Sequence, residues 1–167
     1  MSRIESSIAV MQELMAIPVH YDMGDRYGND ADGDGRIEYD CSSAVSKALG
    51  ISLNNNTESL QQVLPIIGYP KVYDGVDGSF DPQRGQVVIW APRDGSSSLG
   101  AFGHVVIMVD SENCIHCNYG YDGVTINNYN WLWEVNGRPR EIVFQESGQA
   151  LPETSPAPAP QSERKLK

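Results

Sequence analysis

Apolar residues in this chain recur at three- and four-residue spacing up to about Tyr69 and gather in short strand-length runs after it. The spacing suits a helix face and the runs suit buried strands, so helices must come first and strands later. Ile4, Ile8, Met11 and Met15, with Val10 and Leu14, predict an amphipathic helix over residues 3–16, stopped by Pro18. Val45, Ala48 and Leu49 mark a second helix over 42–49, ended by Gly50. Thr57 is placed to cap a third, whose Leu60, Val63 and Leu64 form one face before Pro65. Residues 19–23 alternate briefly, and 24–35 read as loop. Strands are expected at 86–90, 104–109, 115–119, 124–128 and 140–145, with turns at 82–85 and 110–113 and a small-residue loop at 96–103. This order predicts an α+β fold with N-terminal helices packed on an antiparallel β-sheet.

A chain of 167 residues is about one domain. Residues 1–146 are assigned to it. From Ser147 onward, Pro152, Pro156, Pro158 and Pro160 mark residues 147–167 as a Pro-rich, disordered linker or tail, a natural join to a further module. Twelve basic against twenty-two acidic side chains give a net charge of −10. Nucleic-acid binding needs a basic footprint, so that partner is excluded. No stretch reaches the roughly 18 apolar residues of a membrane span, and residues 1–17 lack the pattern of a secretory signal. Three cysteines form an odd, sparse set that fits a reducing compartment better than a disulfide framework.

Cys41 stands where the second helix begins. A thiolate is the reactive form of cysteine, and a helix N-terminus with a nearby imidazolium lowers a thiol pKa. That makes Cys41 a candidate nucleophile. His104 opens a strand directly after Gly100-Ala101-Phe102-Gly103, where small residues permit close approach, and suits a general base. If the hairpin loop holds an odd number of residues, such as 110–112, His104 faces Asn118 and lies diagonal to His116. His116 and Asn118 are therefore rivals for the group that orients the base. Cys114, His116 and Cys117 do not make a zinc site, because neighbouring strand residues point to opposite faces and no distant ligand pair accompanies them.

Between Asp22 and Cys41 lie seven carboxylates, those of Asp22, Asp25, Asp30, Asp32, Asp34, Glu38 and Asp40, against Arg26 and Arg36 alone. Asp30, Asp32, Asp34, Gly35 and Ile37 match the first eight positions of an EF-hand calcium loop. The Arg36 carbonyl and the Glu38 carboxylate fall at positions seven and nine. Position twelve, which calls for a bidentate Glu, is Cys41; Asp40 or a residue elsewhere must close the site. Calcium is the expected cofactor. The expected coupling is electrostatic: the carboxylates raise the Cys41 pKa by like-charge repulsion and a bound Ca²⁺ offsets it, so that calcium supports activity.

Residues 39–43, the strand Arg84-Gly85-Gln86-Val87-Val88-Ile89-Trp90, Gly103-His104-Val105-Val106, and Ile115-His116-Cys117-Asn118-Tyr119 with Asp122-Gly123 resemble the catalytic domain of bacteriophage endolysins. The likeness is to the pneumococcal phage amidase type and its streptococcal prophage endopeptidase relatives, within the NlpC-type papain-like cysteine hydrolases. It runs in order from about Ile4 to Gln145. The resemblance implies a papain-like fold and hydrolysis of a peptidoglycan amide, with Cys41 as nucleophile, His104 as base and His116 orienting it. It also implies that Tyr21, Asp40 and Ser42 line the substrate site. The bond implied first is N-acetylmuramoyl-L-alanine; a stem-peptide bond of the D-glutaminyl-L-lysine kind is the alternative. A reading of another class is a non-catalytic, calcium-dependent wall-binding module. A phage enzyme of this kind waits in the host cytoplasm for holin-mediated release to the wall. The acidic loop departs from the pneumococcal type, so calcium rests on the residues alone. An acidic catalytic module is repelled by anionic wall polymers, which implies a wall-binding partner module. Trp131 and Trp133 are candidates either for stacking on glycan or for burial near the sheet end.

Overall fold

The computed structural model describes residues 2–99 and 103–147. Helix α1 (Arg3–Met15) is capped by Ser2, whose hydroxyl accepts from the Glu5 N–H, and buries Ile8, Met11 and Leu14. Strands β1 (Val19–Tyr21) and β2 (Ile37–Tyr39) form a small parallel pair that sequence periodicity does not reveal. Helix α2 (Cys41–Leu49) follows β2 at once. Asp40 caps it in a reciprocal box with Ser43, and Gly50 ends it at a φ of 74°.

Helix α3 (Thr57–Ile66) differs from expectation at both ends. Asn56, not Thr57, is the cap, because its side-chain oxygen takes the Glu58 and Ser59 N–H groups while Thr57 Oγ1 bonds the Ser98 carbonyl. Pro65 sits within the last turn instead of beyond it.

Six strands make one antiparallel sheet: β3 (Lys71–Gly75), β4 (Val87–Ala91), β5 (His104–Met108), β6 (Asn113–Asn118), β7 (Gly123–Asn128) and β8 (Arg140–Phe144), in spatial order β3-β8-β4-β5-β6-β7. Strand β3 was not expected; it is a largely exposed edge whose pairing comes from β8, not from an apolar pattern of its own. Helix α4 (Tyr129–Val135), capped by Asn128, was also missed, being too short to show a period.

Alternation along the strands divides the core. Val87, Ile89, Val105, Ile107, Ile115, Ile142 and Phe144 meet α1, α2 and α3 on one face. Val88, Trp90, Val106, Met108 and Val143 meet Phe80 and α4 on the other. Cys117 belongs to the first face and Cys114 to the second, which excludes a joint zinc site. No helix among the described residues is long and apolar enough to cross a membrane. Ser147 still bonds the Gly68 carbonyl, one residue past the expected domain end. The rest of the Pro-rich tail lies outside the described residues, as do Gly100, Ala101 and Phe102.

Candidate active site

The site forms where β5 and β6 part. Ile107 pairs with Ile115 and Met108 with Cys114, and Val109 closes the hairpin on Asn113, so 110–112 is an odd loop. The ladder between the two strands ends at Ile107. Because the Met108 N–H bonds to Gln86, just before β4, while the Val109 N–H turns to Asn113, the Val105 N–H must also face the β6 side, where no strand partner remains. The Cys41 thiol takes that N–H, with the Tyr21 hydroxyl and the Ser42 N–H as further partners. Helix α2 thus delivers its first residue into the gap in the sheet.

His104 and His116 bridge the opening from the opposite face, with His104 Nε2 2.8 Å from His116 Nδ1. The His116 Nε2 lies 2.8 Å from Asn127 Oδ1 on β7. A chain of hydrogen bonds determines the tautomers. The Tyr121 N–H donates to Asn118 Oδ1, Asn118 Nδ2 donates to Thr125 Oγ1, and the Thr125 hydroxyl donates to Asn127 Oδ1. That oxygen can accept from His116 Nε2, which leaves Nδ1 of neutral His116 as an acceptor for the His104 Nε2–H. His104 Nδ1 is left as the basic nitrogen.

Of the two rivals, His116 touches His104; Asn118 stands four hydrogen bonds from His104 in the same chain. Sequence reasoning missed Asn127 and Thr125, since neither carries a signal until β7 is paired with β6. Trp90 stands opposite His104 on β4, with ring centroids 5.5 Å apart.

Burial sets the charge states. The His104 pKa is pushed down to about 3, by burial first and then by His116, and burial takes His116 down to about 4. Burial, reinforced by Asp40, pushes the Cys41 thiol up to about 12. The lowering expected from the helix start is present in the Val105, Tyr21 and Ser42 contacts but is outweighed. At rest the thiol and the imidazole are each neutral. Of the seven carboxylates, Asp40 is the one that bears on the thiol most directly, so the expected repulsion by the whole segment narrows to a single neighbour.

Asp40 is itself held by Arg26, another residue the sequence did not single out. Arg26 Nε lies 2.7 Å from Asp40 Oδ2, its Nη2 reaches Ser42 Oγ at 3.0 Å, and it also bonds the Asn55 carbonyl. Asp40 and Ser42 are therefore buried beneath the helix start and do not line the site's surface, contrary to expectation. Tyr21 does line it.

A groove of about 1050 Å³ runs past Tyr21, His104 and His116 to Tyr119, Tyr121 and Trp131. Trp131 is 52% exposed there, whereas Trp133 is buried against the sheet.

The acidic loop lies alongside. One carboxylate oxygen from each of Asp30, Asp32, Asp34 and Glu38 falls within 4.8 Å of all the others. Asp40, committed to Arg26, does not close this cluster; Glu38 does. The Ala31 N–H favours its charged form, but burial and the facing Asp32 and Asp30 carboxylates raise its pKa overall. The Arg36 side chain leaves the cluster for Asp122 Oδ2, at 2.8 Å.

Comparison with known proteins accords with this geometry. The bacteriophage peptidoglycan hydrolase family matches residues 3–151. The chain belongs to that family. The lysin of Pneumococcus phage Dp-1 is 36% identical over 148 residues, which are 85% of this chain and 46% of that one. The hydrolase thus spans about half the length of that relative. Among solved structures, NlpC2 from Trichomonas vaginalis superposes with a TM-score of 0.51 at 14% identity, covering 86% of this chain and 45% of that one. That likeness establishes the NlpC-type papain-like fold.

Proposed function

We propose that this hydrolase cleaves the amide between N-acetylmuramic acid and L-alanine in peptidoglycan, with Cys41 as nucleophile. The hydrogen-bonded chain from Asn127 through His116 to His104, which engages His104 Nε2 and leaves Nδ1 as the basic nitrogen, is the observation that carries the reading. His104 Nδ1 takes the thiol proton as sulfur attacks the carbonyl carbon. Negative charge collects on the carbonyl oxygen, where the Cys41 N–H, at a first helical position with no intrahelical acceptor, can receive it. His104 returns the proton to the departing amine, leaving a thioester. Water, deprotonated by His104, then releases the acid and restores the thiol.

The exposed Trp131, Tyr119 and Tyr121 along the groove support a saccharide on the acyl side, since aromatic faces stack on sugar rings. The net charge of −10 supports dependence on a separate wall-binding module, and delivery to the wall after holin action belongs to the same reading.

Mass spectrometry of purified peptidoglycan digested by the wild type and by Cys41→Ala tests this. Free stem peptides beginning in L-alanine, absent with the variant, are expected. A new amine on a stem lysine would instead establish the endopeptidase. Wall binding without any fragments would establish the non-catalytic module.

A further inference from the structure

Glu38 is fully buried, yet its Oε2 has no hydrogen-bond partner among the described residues. Its other oxygen accepts the Ala31 N–H at 2.8 Å. A carboxylate oxygen buried without a donor is costly. The groups gathered around this carboxylate are not donors but three more carboxylates, those of Asp30, Asp32 and Asp34. Four carboxylates gathered in this way, one of them sealed from water, lack a positive charge at their centre.

We propose that Asp30, Asp32, Asp34 and Glu38 bind one calcium ion, and that this ion braces strand β2, which carries Cys41 into the active site. All-oxygen donors select a hard cation. Oxygens on opposite sides of a calcium ion stand up to about 5 Å apart and those around magnesium about 4 Å. The 4.8 Å span of the cluster suits calcium. Magnesium also prefers to keep several waters, which the buried Glu38 does not favour.

The site departs from an EF-hand in a way that gives it a role. In an EF-hand the closing carboxylate stands at position twelve, on the following helix. Here the last carboxylate is at position nine, on β2, and position twelve is Cys41. Two routes lead from the ion to the thiol. Along the chain, Glu38 is followed by Tyr39, the cap Asp40 and Cys41, and the Glu38 backbone is pinned to Gly28 and Asn29 at 2.9 and 3.0 Å. Through space, Arg36 binds Asp122 Oδ2, and Asp122 Oδ1 takes the Tyr21 N–H at 2.9 Å. The Tyr21 hydroxyl meets the Cys41 thiol. Without the ion, repulsion among the four carboxylates opens the loop and loosens both routes. The functional half of this inference rests on the hydrolase reading; the binding half does not.

The test is a calcium titration of the full 167-residue chain, followed by calorimetry and by thermal melting, with magnesium and a chelator as controls. Calcium is expected to bind one ion per chain and to raise the melting temperature by about 5 °C, magnesium much less. Asp32→Asn and Glu38→Gln should each weaken calcium at least about tenfold. Cys41→Ala should bind it as the wild type does. Should Glu38→Gln fail to fold, the exposed Asp32→Asn alone decides. No binding at about 10 mM calcium, equal binding of magnesium, or unchanged affinity in Asp32→Asn overturns the site. Chelation should abolish peptidoglycan release reversibly. Calcium binding with full activity in chelator overturns the bracing role, whereas calcium binding with no activity under any condition leaves the site standing and removes the hydrolase reading.

Discussion

His104 and His116 hold each other at 2.8 Å across a pair of strands whose ladder has already ended, so the contact depends on side chains and not on sheet pairing. His116 is held in turn by Asn127 on the next strand.

Asn127 is a positioning residue in this scheme, since it acts through His116. Asn127→Leu should lower kcat about 10- to 100-fold with little change in KM, because tautomer control is lost while the groove is intact. Asn127→Asp, which keeps an acceptor and adds charge, should retain more activity and shift the acid limb of the pH–rate profile upward. Equal losses in both variants would point to packing instead.

Arg26 and Asp40 form an ion pair whose side chains are about 10% and 9% exposed. Removing one partner of a buried pair leaves an uncompensated charge, at a cost of about 3–5 kcal/mol. Arg26→Ala should therefore lower denaturant stability by that order. Asp40 caps the helix that begins with Cys41, so activity should fall further than the unfolded fraction explains.

A Cβ at Gly103 would lie 1.6 Å from the Ser98 carbonyl oxygen. Ser98 cannot retreat freely, because Glu58 Oε2 binds its N–H and hydroxyl and Thr57 holds its carbonyl. Gly103→Ala should cost about 1–3 kcal/mol or more in a melting experiment and displace His104, the next residue.

Stability should fall on both sides of a plateau. His104 and His116 bind protons more weakly folded, at about 3 and 4, than unfolded, near 6.5. Below about pH 6.5 the unfolded chain gains protons that the folded chain refuses, so stability is lost as pH falls through that window. Cys41 runs the other way: its folded value of about 12 exceeds the ordinary 9.0. Above about pH 9 the unfolded thiol ionises first, and stability is lost as pH rises. Melting temperatures across pH 4–10 should show about this plateau, with a shallower alkaline limb in Cys41→Ala.

The sequence by itself determined what depends on local spacing. The change of period placed three helices before the sheet, and Gly50 ended α2; that the 110–112 loop is odd, which puts His104 and His116 on one face, was decided by the pairing of Val109 with Asn113. Asp30, Asp32, Asp34 and Glu38 were readable as a cluster because neighbours in a loop stay neighbours in space. What only the tertiary structure decided depends on pairing and burial. Strand β3 exists because β8 lies beside it, Asn127 reaches His116 because β7 pairs with β6, and Arg26 reaches Asp40 by folding of the loop between them. Asp40 and Ser42, which the resemblance implied as lining the substrate site, went inside with the helix start. The Cys41 thiol followed the same rule: local dipole arguments favour its anion, but desolvation scales with burial, and burial is a property of the assembled fold.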